Sequence, residues 1–258
     1  MVEIMTTESE PAVFARRLYE AYRNGTPATV EPFANISIAT GYEVQREFVS
    51  ARIDDEGPAV GYKLGFTNEE IQREIGVPEP VYGRLLAATV GVGEVDLGAL
   101  IDPRGEPEIV VCLGESVPPS PSREQVASAV ESVAPAIEIV DTRTGSWDLP
   151  PGVAVADNAL AARLVTGPER PLADCPPLAD IEVTVTTPAG DWTGHGAAVL
   201  GDPIEAVAWL ARARDQSLPA NTLVSTGSLT STVPLRPGDR VTASFSSLGE
   251  VMVQPAES

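Results

Sequence analysis

Basic residues are scarce in this chain: 17 Lys plus Arg stand against 37 Asp plus Glu, a formal net charge of −20 over 258 residues. A surface that acidic repels phosphate backbones and anionic lipid, which argues against nucleic acid and membranes as partners. Cysteine occurs twice, as Cys112 and Cys175, and neither sits in a metal-like spacing. The two thiols read as free in a reducing compartment. Histidine occurs once, as His195. No uncharged apolar run reaches the roughly 18 residues of a membrane span. Met1 to Pro11 is acidic and lacks the apolar core of a signal peptide, so the expectation is a soluble, unexported, cytoplasmic protein. No repeat of roughly 20 to 50 residues is found.

What is present is 43% hydrophobic residues, enough for one sizeable core with a smaller appended region. Within it, carboxylates stand in unusual places. In Pro103 to Gly114, Glu106 and Glu108 alternate with small residues and run directly into the β-branched strand Ile109-Val110-Val111. Side chains two apart on a strand share a face, and like charges there repel unless a cation lies between them. In Pro135 to Asp141, Glu138 interrupts an apolar strand, where an unpaired carboxylate is too costly to leave alone. Three carboxylates without nearby His or Cys describe a hard, all-oxygen site suited to Mg²⁺, Mn²⁺ or Ca²⁺. The competing reading makes Glu106 and Glu108 a solvated strand end and pairs Glu138 with an arginine.

Periodicity places a first helix through Phe14, Leu18 and Tyr22 with Gly25 as its stop, and a second over residues 40–52. Gly61 to Phe66 reads as a buried strand carrying Lys63, whose desolvated amine would lose its charge readily; the alternative is a salt-bridged lysine. Thr67-Asn68-Glu69-Glu70 reads as a capping box opening a short helix that Gly76 ends, its first amides available to an anion. Ser122 to Gln125 is a second capping box, and Val126, Val130 and Val133 extend its helix. Asp157 is expected to cap a helix bearing Leu160, Ala161 and Leu164. A hairpin joins Ile181–Thr186 to Trp192–Leu200, a helix starts at Asp202-Pro203, and strands follow at Thr222–Thr226, Val241–Phe245 and Val251–Gln254. Thr226-Gly227-Ser228 offers hydroxyls and a flexible glycine for gripping a substrate carboxylate, or is an ordinary turn. Arg143 pairs with either a substrate carboxylate or a neighbouring acid. His195 is expected to be packed and hydrogen-bonded.

Taken together, Gly61 to Thr67, Pro80-Val81-Tyr82-Gly83, the Glu106/Glu108 strand, Ile137 to Arg143, Ala156-Asp157-Asn158, Gly194 to Pro203, Thr226 to Thr230 and Pro237-Gly238-Asp239 carry a resemblance. The chain resembles the 2-oxopent-4-enoate hydratase and 4-oxalocrotonate decarboxylase group of the fumarylacetoacetate hydrolase superfamily. The resemblance implies an α+β fold: a mixed β-roll over residues 81–258, preceded by a helical N-terminal region over residues 1–80. It implies a divalent metal, Mg²⁺ or Mn²⁺, on Glu106, Glu108 and Glu138, an active-site lysine at Lys63, and a homo-oligomer. Superfamily hydrolases use a Glu-His pair on an N-terminal lid, and no histidine precedes His195 here. Hydratases resembling this chain place Asp where Val81 stands, whereas decarboxylases of the group carry an aliphatic residue.

The expected function is therefore a metal-dependent lyase acting on a 2-oxo acid, a 4-oxalocrotonate-type decarboxylase first and a 2-hydroxypenta-2,4-dienoate hydratase second. Lys63 is the expected catalytic residue, with Val81, Arg143, Thr226, Gly227 and Ser228 around the substrate. A non-catalytic metal-binding scaffold, or a relative recruited to a biosynthetic reaction, completes the alternatives.

Overall fold

A computed structural model describes residues 9–91, 95–98 and 100–254; the acidic start, Met1 to Glu8, lies outside the described residues. Helix α1 (Glu10–Asn24) is capped by the Ser9 hydroxyl, which accepts from the Ala12 amide, and ends at Gly25 in the left-handed region. Helix α2 (Ile38–Glu56) is longer at both ends than its apolar spacing suggests, because Ser37 caps it and Gly57 closes it. Phe14 and Leu18 of α1 pack against Val44 and Phe48 of α2 and against Phe33, Val153 and Ala156. Phe14 and Phe33 stack with centroids 4.4 Å apart.

The chain continues through β1 (Ala59–Gly65), α3 (Glu69–Ile75), β2 (Val81–Leu86), β3 (Val90–Gly91), β4 (Arg104–Leu113), α4 (Arg123–Ala129), β5 (Val130–Val140), α5 (Pro151–Ala156), β6 (Ala161–Thr166) and β7 (Arg170–Pro171). It ends with β8 (Glu182–Thr187), β9 (Gly190–His195), α6 (Pro203–Arg214), β10 (Leu223–Ser228), β11 (Val233–Pro234), β12 (Val241–Phe245) and β13 (Gly249–Val253). Among the described residues one sheet runs β2-β1-β10-β4-β5-β6-β3, with β11 on β4 and β7 on β5, and a second runs β13-β12-β8-β9. The β1–β10 and β3–β6 pairs are parallel and the others antiparallel, so the large sheet is mixed, as expected. Ile109, Val111 and Leu113 of β4 meet Val207 and Leu210 of α6 and the inward-facing Val183, Val185, Ala243 and Val251 of the second sheet. Strand β8 shows the alternation behind this, with Val183 and Val185 buried and Glu182 and Thr184 exposed.

Several expectations are corrected. Val130 and Val133 belong to β5, not to α4: β-branched residues spaced three or four apart fit a short helix, yet pairing with β4 from Val130 to Val140 decides for the strand. Asp157 caps no helix; α5 precedes it, and Asn158, Ala159 and Leu160 all have positive φ (56, 49 and 66°), which cannot start one. The true cap of α3 is Asn68, whose Oδ1 accepts from the amides of Glu70 and Ile71, so these amides are already taken. Strand β9 ends at His195 and turns into a short 3₁₀ segment, Gly196–Ala198. The division expected at residue 80 does not divide the sheet, since β1 precedes it and lies between β2 and β10. No helix among the described residues is long and apolar enough to cross a membrane.

Helix α2 lies so close to α5 that a Cβ on Gly41 would sit 2.4 Å from the Gly152 carbonyl oxygen. Ala is preferred over Gly in a helix by about 1 kcal/mol, but backbone overlap of this kind costs about 1–3 kcal/mol. Gly41→Ala is therefore expected to lower the thermal unfolding midpoint by several degrees, and a raised midpoint would show that α2 and α5 are not in this contact.

Candidate metal and substrate site

Strands β4 and β5 pair antiparallel with Glu106 directly opposite Glu138. Glu108 lies two residues along β4 on the same face as Glu106. One carboxylate oxygen from each of the three residues lies within 4.8 Å of the others. Glu108 and Glu138 are fully buried, while Glu106 opens onto a cavity. Glu108 Oε2 accepts from the Ser225 hydroxyl at 2.6 Å and from the Gly227 amide at 2.9 Å, both on β10. Its Oε1 has no hydrogen-bonding partner among the described residues, and neither has Glu138 Oε1.

Lys63, the chain's only lysine, completes the group from β1. Its Nζ lies 3.0 Å from Glu138 Oε2 and donates to the Ala159 carbonyl at 2.9 Å. The left-handed run Asn158-Ala159-Leu160 aims that carbonyl inward. Asn158 is itself held by two hydrogen bonds with the Arg84 backbone, and Gly83 admits it: a Cβ there would meet the Asn158 oxygen at 2.2 Å.

The electrostatics follow from one ammonium among three carboxylates. Burial favours the neutral amine of Lys63, but the fields of Glu138, Glu106 and Glu108 outweigh it and hold the amine above its ordinary value. Set by the carboxylates alone, this direction runs against the expectation of a lysine that readily loses its charge. Burial pushes Glu138 well above the usual carboxylate range against the pull of Lys63, with Glu108 and Glu106 raising it further. Burial raises Glu106 as well, against Lys63 and with the help of Glu108. Two orphaned oxygens, an all-oxygen donor set and an excess of buried negative charge fit a hard divalent cation.

The cavity holds about 400 Å³. Lys63 and Glu106 lie in its lining, with Val81, Leu160 and Trp147 among its apolar residues and Thr67, Ser228 and Thr230 supplying hydroxyls. Ile71 and Ile75 of α3 also line it, and both are about two-fifths exposed.

The Fumarylacetoacetate (FAA) hydrolase C-terminal family model matches residues 73–254. The chain belongs to the FAA hydrolase family. Among the relatives of this family member, "4-oxalocrotonate decarboxylase" of Pseudomonas sp is 34% identical over 92% of this chain and 94% of its own. "2-keto-4-pentenoate hydratase" of Paraburkholderia xenovorans is 32% identical over 93% of each chain. Among solved structures, 4-oxalocrotonate decarboxylase from Pseudomonas putida G7, complexed with magnesium and adipate, superposes with a TM-score of 0.88 at 31% identity, covering 96% of this chain and 98% of that one.

In this FAA hydrolase family member the expected substrate contacts divide. Val81 and Ser228 line the cavity, and the Ser228 hydroxyl is buried without a hydrogen-bonding partner among the described residues. Thr226 does not reach it, because its hydroxyl donates to the Ile109 carbonyl at 2.8 Å. Gly227 gives its amide to Glu108, and its φ of 116° and close approach to Thr67 exclude a larger residue. Arg143 is absent from the cavity lining: its Nε and backbone amide bind the Asp157 carboxylate, its Nη2 donates to the Asp157 carbonyl, and its guanidinium lies over Phe48. His195 is exposed at the end of β9, not packed, and lines a separate shallow groove. Sequence reasoning missed Ser225, whose only signal is its place on the strand beside Gly227, and Trp147, which lies in an irregular Pro-rich stretch.

The Arg143–Asp157 pair anchors the chain just before the left-handed run. Burial pushes the Asp157 carboxyl up to about 6 against the pull of Arg143, and it is ionised at slightly alkaline pH. Asp157→Ala would strand a buried guanidinium, a loss of about 3–5 kcal/mol. Its thermal midpoint at alkaline pH is expected well below that of the wild type; equal midpoints would remove the pair's structural role.

Proposed function

We propose that this chain is a divalent-metal-dependent lyase that decarboxylates a 4-oxalocrotonate-type 2-oxo acid. The observation that carries the choice is the cavity lining: Lys63 and Glu106 are its only titratable side chains among the described residues. With Glu106 assigned to a metal, Lys63 alone is left to move a proton. Hydration requires a second acid or base to add water across the diene, and Val81 occupies the wall with a side chain that can do neither. The hydratase reading stands second, supported by relatives of that name at nearly equal identity.

In this proposal Glu106, Glu108 and Glu138 hold Mg²⁺ or Mn²⁺. Bound there, the ion supplies electrostatic stabilisation for negative charge developing on the 2-oxo group of a chelated substrate. Ser225 and the Gly227 amide keep Glu108 in a single orientation, leaving Oε1 free. In the reaction the bond to the distal carboxylate breaks, CO₂ departs, and the electron pair passes through the conjugated chain towards the 2-oxo oxygen. The Lys63 ammonium, tethered by the Ala159 carbonyl, holds the departing carboxylate or hands a proton to the resulting dienolate. Val81 and Leu160 exclude water from that end. A cytoplasmic location and a homo-oligomeric assembly belong to the same proposal, and the two unpaired cysteines suit a reducing compartment.

Replacing both Glu106 and Glu108 with Gln is expected to abolish Mg²⁺ and Mn²⁺ binding measured by calorimetry; unchanged affinity would remove the metal assignment. Wild-type enzyme with either ion should release CO₂ from 2-oxohex-3-enedioate, and Lys63→Met should lower that turnover by ~10²-fold or more, the usual scale for loss of an acid/base group. Efficient hydration of 2-hydroxypenta-2,4-dienoate without CO₂ release would reverse the order of the two readings.

A further inference from the structure

The β1–β2 pair has a second concave face. Along β2, Val81 lines the cavity whereas Tyr82 and Arg84 line a groove of about 350 Å³ bounded by α2 and the C-terminal end of α6. Cavity and groove share no lining residue.

Three arginines meet there: Arg46 from α2, Arg84 from β2 and Arg214 from α6. Among the described residues, none that lines the groove is Asp or Glu, and none of the three arginines has an ion-pair partner. The Arg84 and Arg214 guanidinium carbons lie 4.2 and 4.5 Å from the centroid of the same Tyr62 ring. Arg214 otherwise donates only to Gln216, and its Nη1 is buried without a partner. Tyr42 and Tyr82, stacked with centroids 4.6 Å apart, form a wall, and the three positive charges converge on the Tyr82 phenol, where burial raises the pKa and Arg214, Arg84 and Arg46 all oppose it.

This arrangement runs against the chain's composition. With 37 acids for 17 basic residues, a random arginine finds a carboxylate easily, and three sharing a groove without one repel each other at a cost that a counter-anion removes. A guanidinium fork matches the oxygens of carboxylate or phosphate in bidentate fashion. We propose that this groove is a binding site for a small oxyanion of at least two negative charges, phosphoryl or dicarboxylate, distinct from the Glu106–Glu108–Glu138 site. The proposal stands independently of the decarboxylase reading.

The test is calorimetric titration of the full Mg²⁺-supplemented chain with inorganic phosphate and, in a separate arm, succinate. Saturable binding to one site is expected in at least one arm, and the stronger arm identifies the source of the anion. Arg46→Gln and Arg214→Gln should each weaken it about tenfold or more, the scale of one lost charge-assisted hydrogen bond. Arg236→Gln, at an exposed position outside the groove, should leave it unchanged. Arg46 is exposed on α2, so its variant keeps the fold, which circular dichroism verifies. No saturable heat in either arm, or heat unaffected by both groove variants, would overturn the proposal. So would a fall to a smaller species on gel filtration in the groove variants without any anion binding, which would assign the arginines to a contact between copies of the chain.

Discussion

Glu106 and Glu138 face each other across a backbone ladder that leaves neither free to move away, and Glu108 is fixed beside them by two hydrogen bonds from β10. One ammonium cannot neutralise three carboxylates. At Glu108 and Glu138 the negative charge is buried in the middle of the large sheet, where water cannot screen it, and this imbalance is the constraint around which the other elements are arranged. Strand β1 brings the cation that pairs with Glu138, Arg104 adds its field at Glu106, β10 orients one carboxylate, and the turn after α5 tethers the Lys63 amine by a carbonyl.

Much of the remaining structure secures that turn. Three successive non-glycine residues in the left-handed region are strained, and they persist because Asn158 is clamped to the Arg84 backbone and Asp157 to Arg143. Arg143 leans on Phe48, which belongs to the α1–α2 cluster. The helical region is thus not an ornament on the sheet: its core reaches the backbone that positions Lys63. Gly83 and Gly227 serve the same end by letting chain segments approach more closely than any side chain would allow.

The acid trio and Lys63 stood out in the sequence because each breaks a local rule, a charge inside an apolar strand or two like charges on one face. The rule-breaking fits a solvated strand end or a salt-bridged lysine equally well, and only the family resemblance tips it towards a site. Helices α1 and α6 and the β8–β9 hairpin were legible because periodicity, caps and turn residues agree. Arg143 was not placed, since a guanidinium carries the same signal whether it meets a substrate or a buried aspartate, and only the fold brings Asp157 to it. Thr226 failed for a related reason: its hydroxyl and that of Ser228 look alike in sequence, while the strand sends one to the Ile109 carbonyl and the other to the cavity. The α4–β5 boundary was misread because valines every three or four residues satisfy a helix until β4 supplies a partner along the whole run.

Using one lysine where arginine serves every other cationic position has a practical consequence. Arginine is inert to reductive alkylation, so Lys63 is the sole side chain that this chemistry can mark. It is 2% exposed and lies in the lining of the cavity. At a fixed pH, where the same fraction of the amine is unprotonated, a change in the speed of tagging therefore reports a change in access to the cavity, and any molecule seated against the acid trio should slow that chemistry.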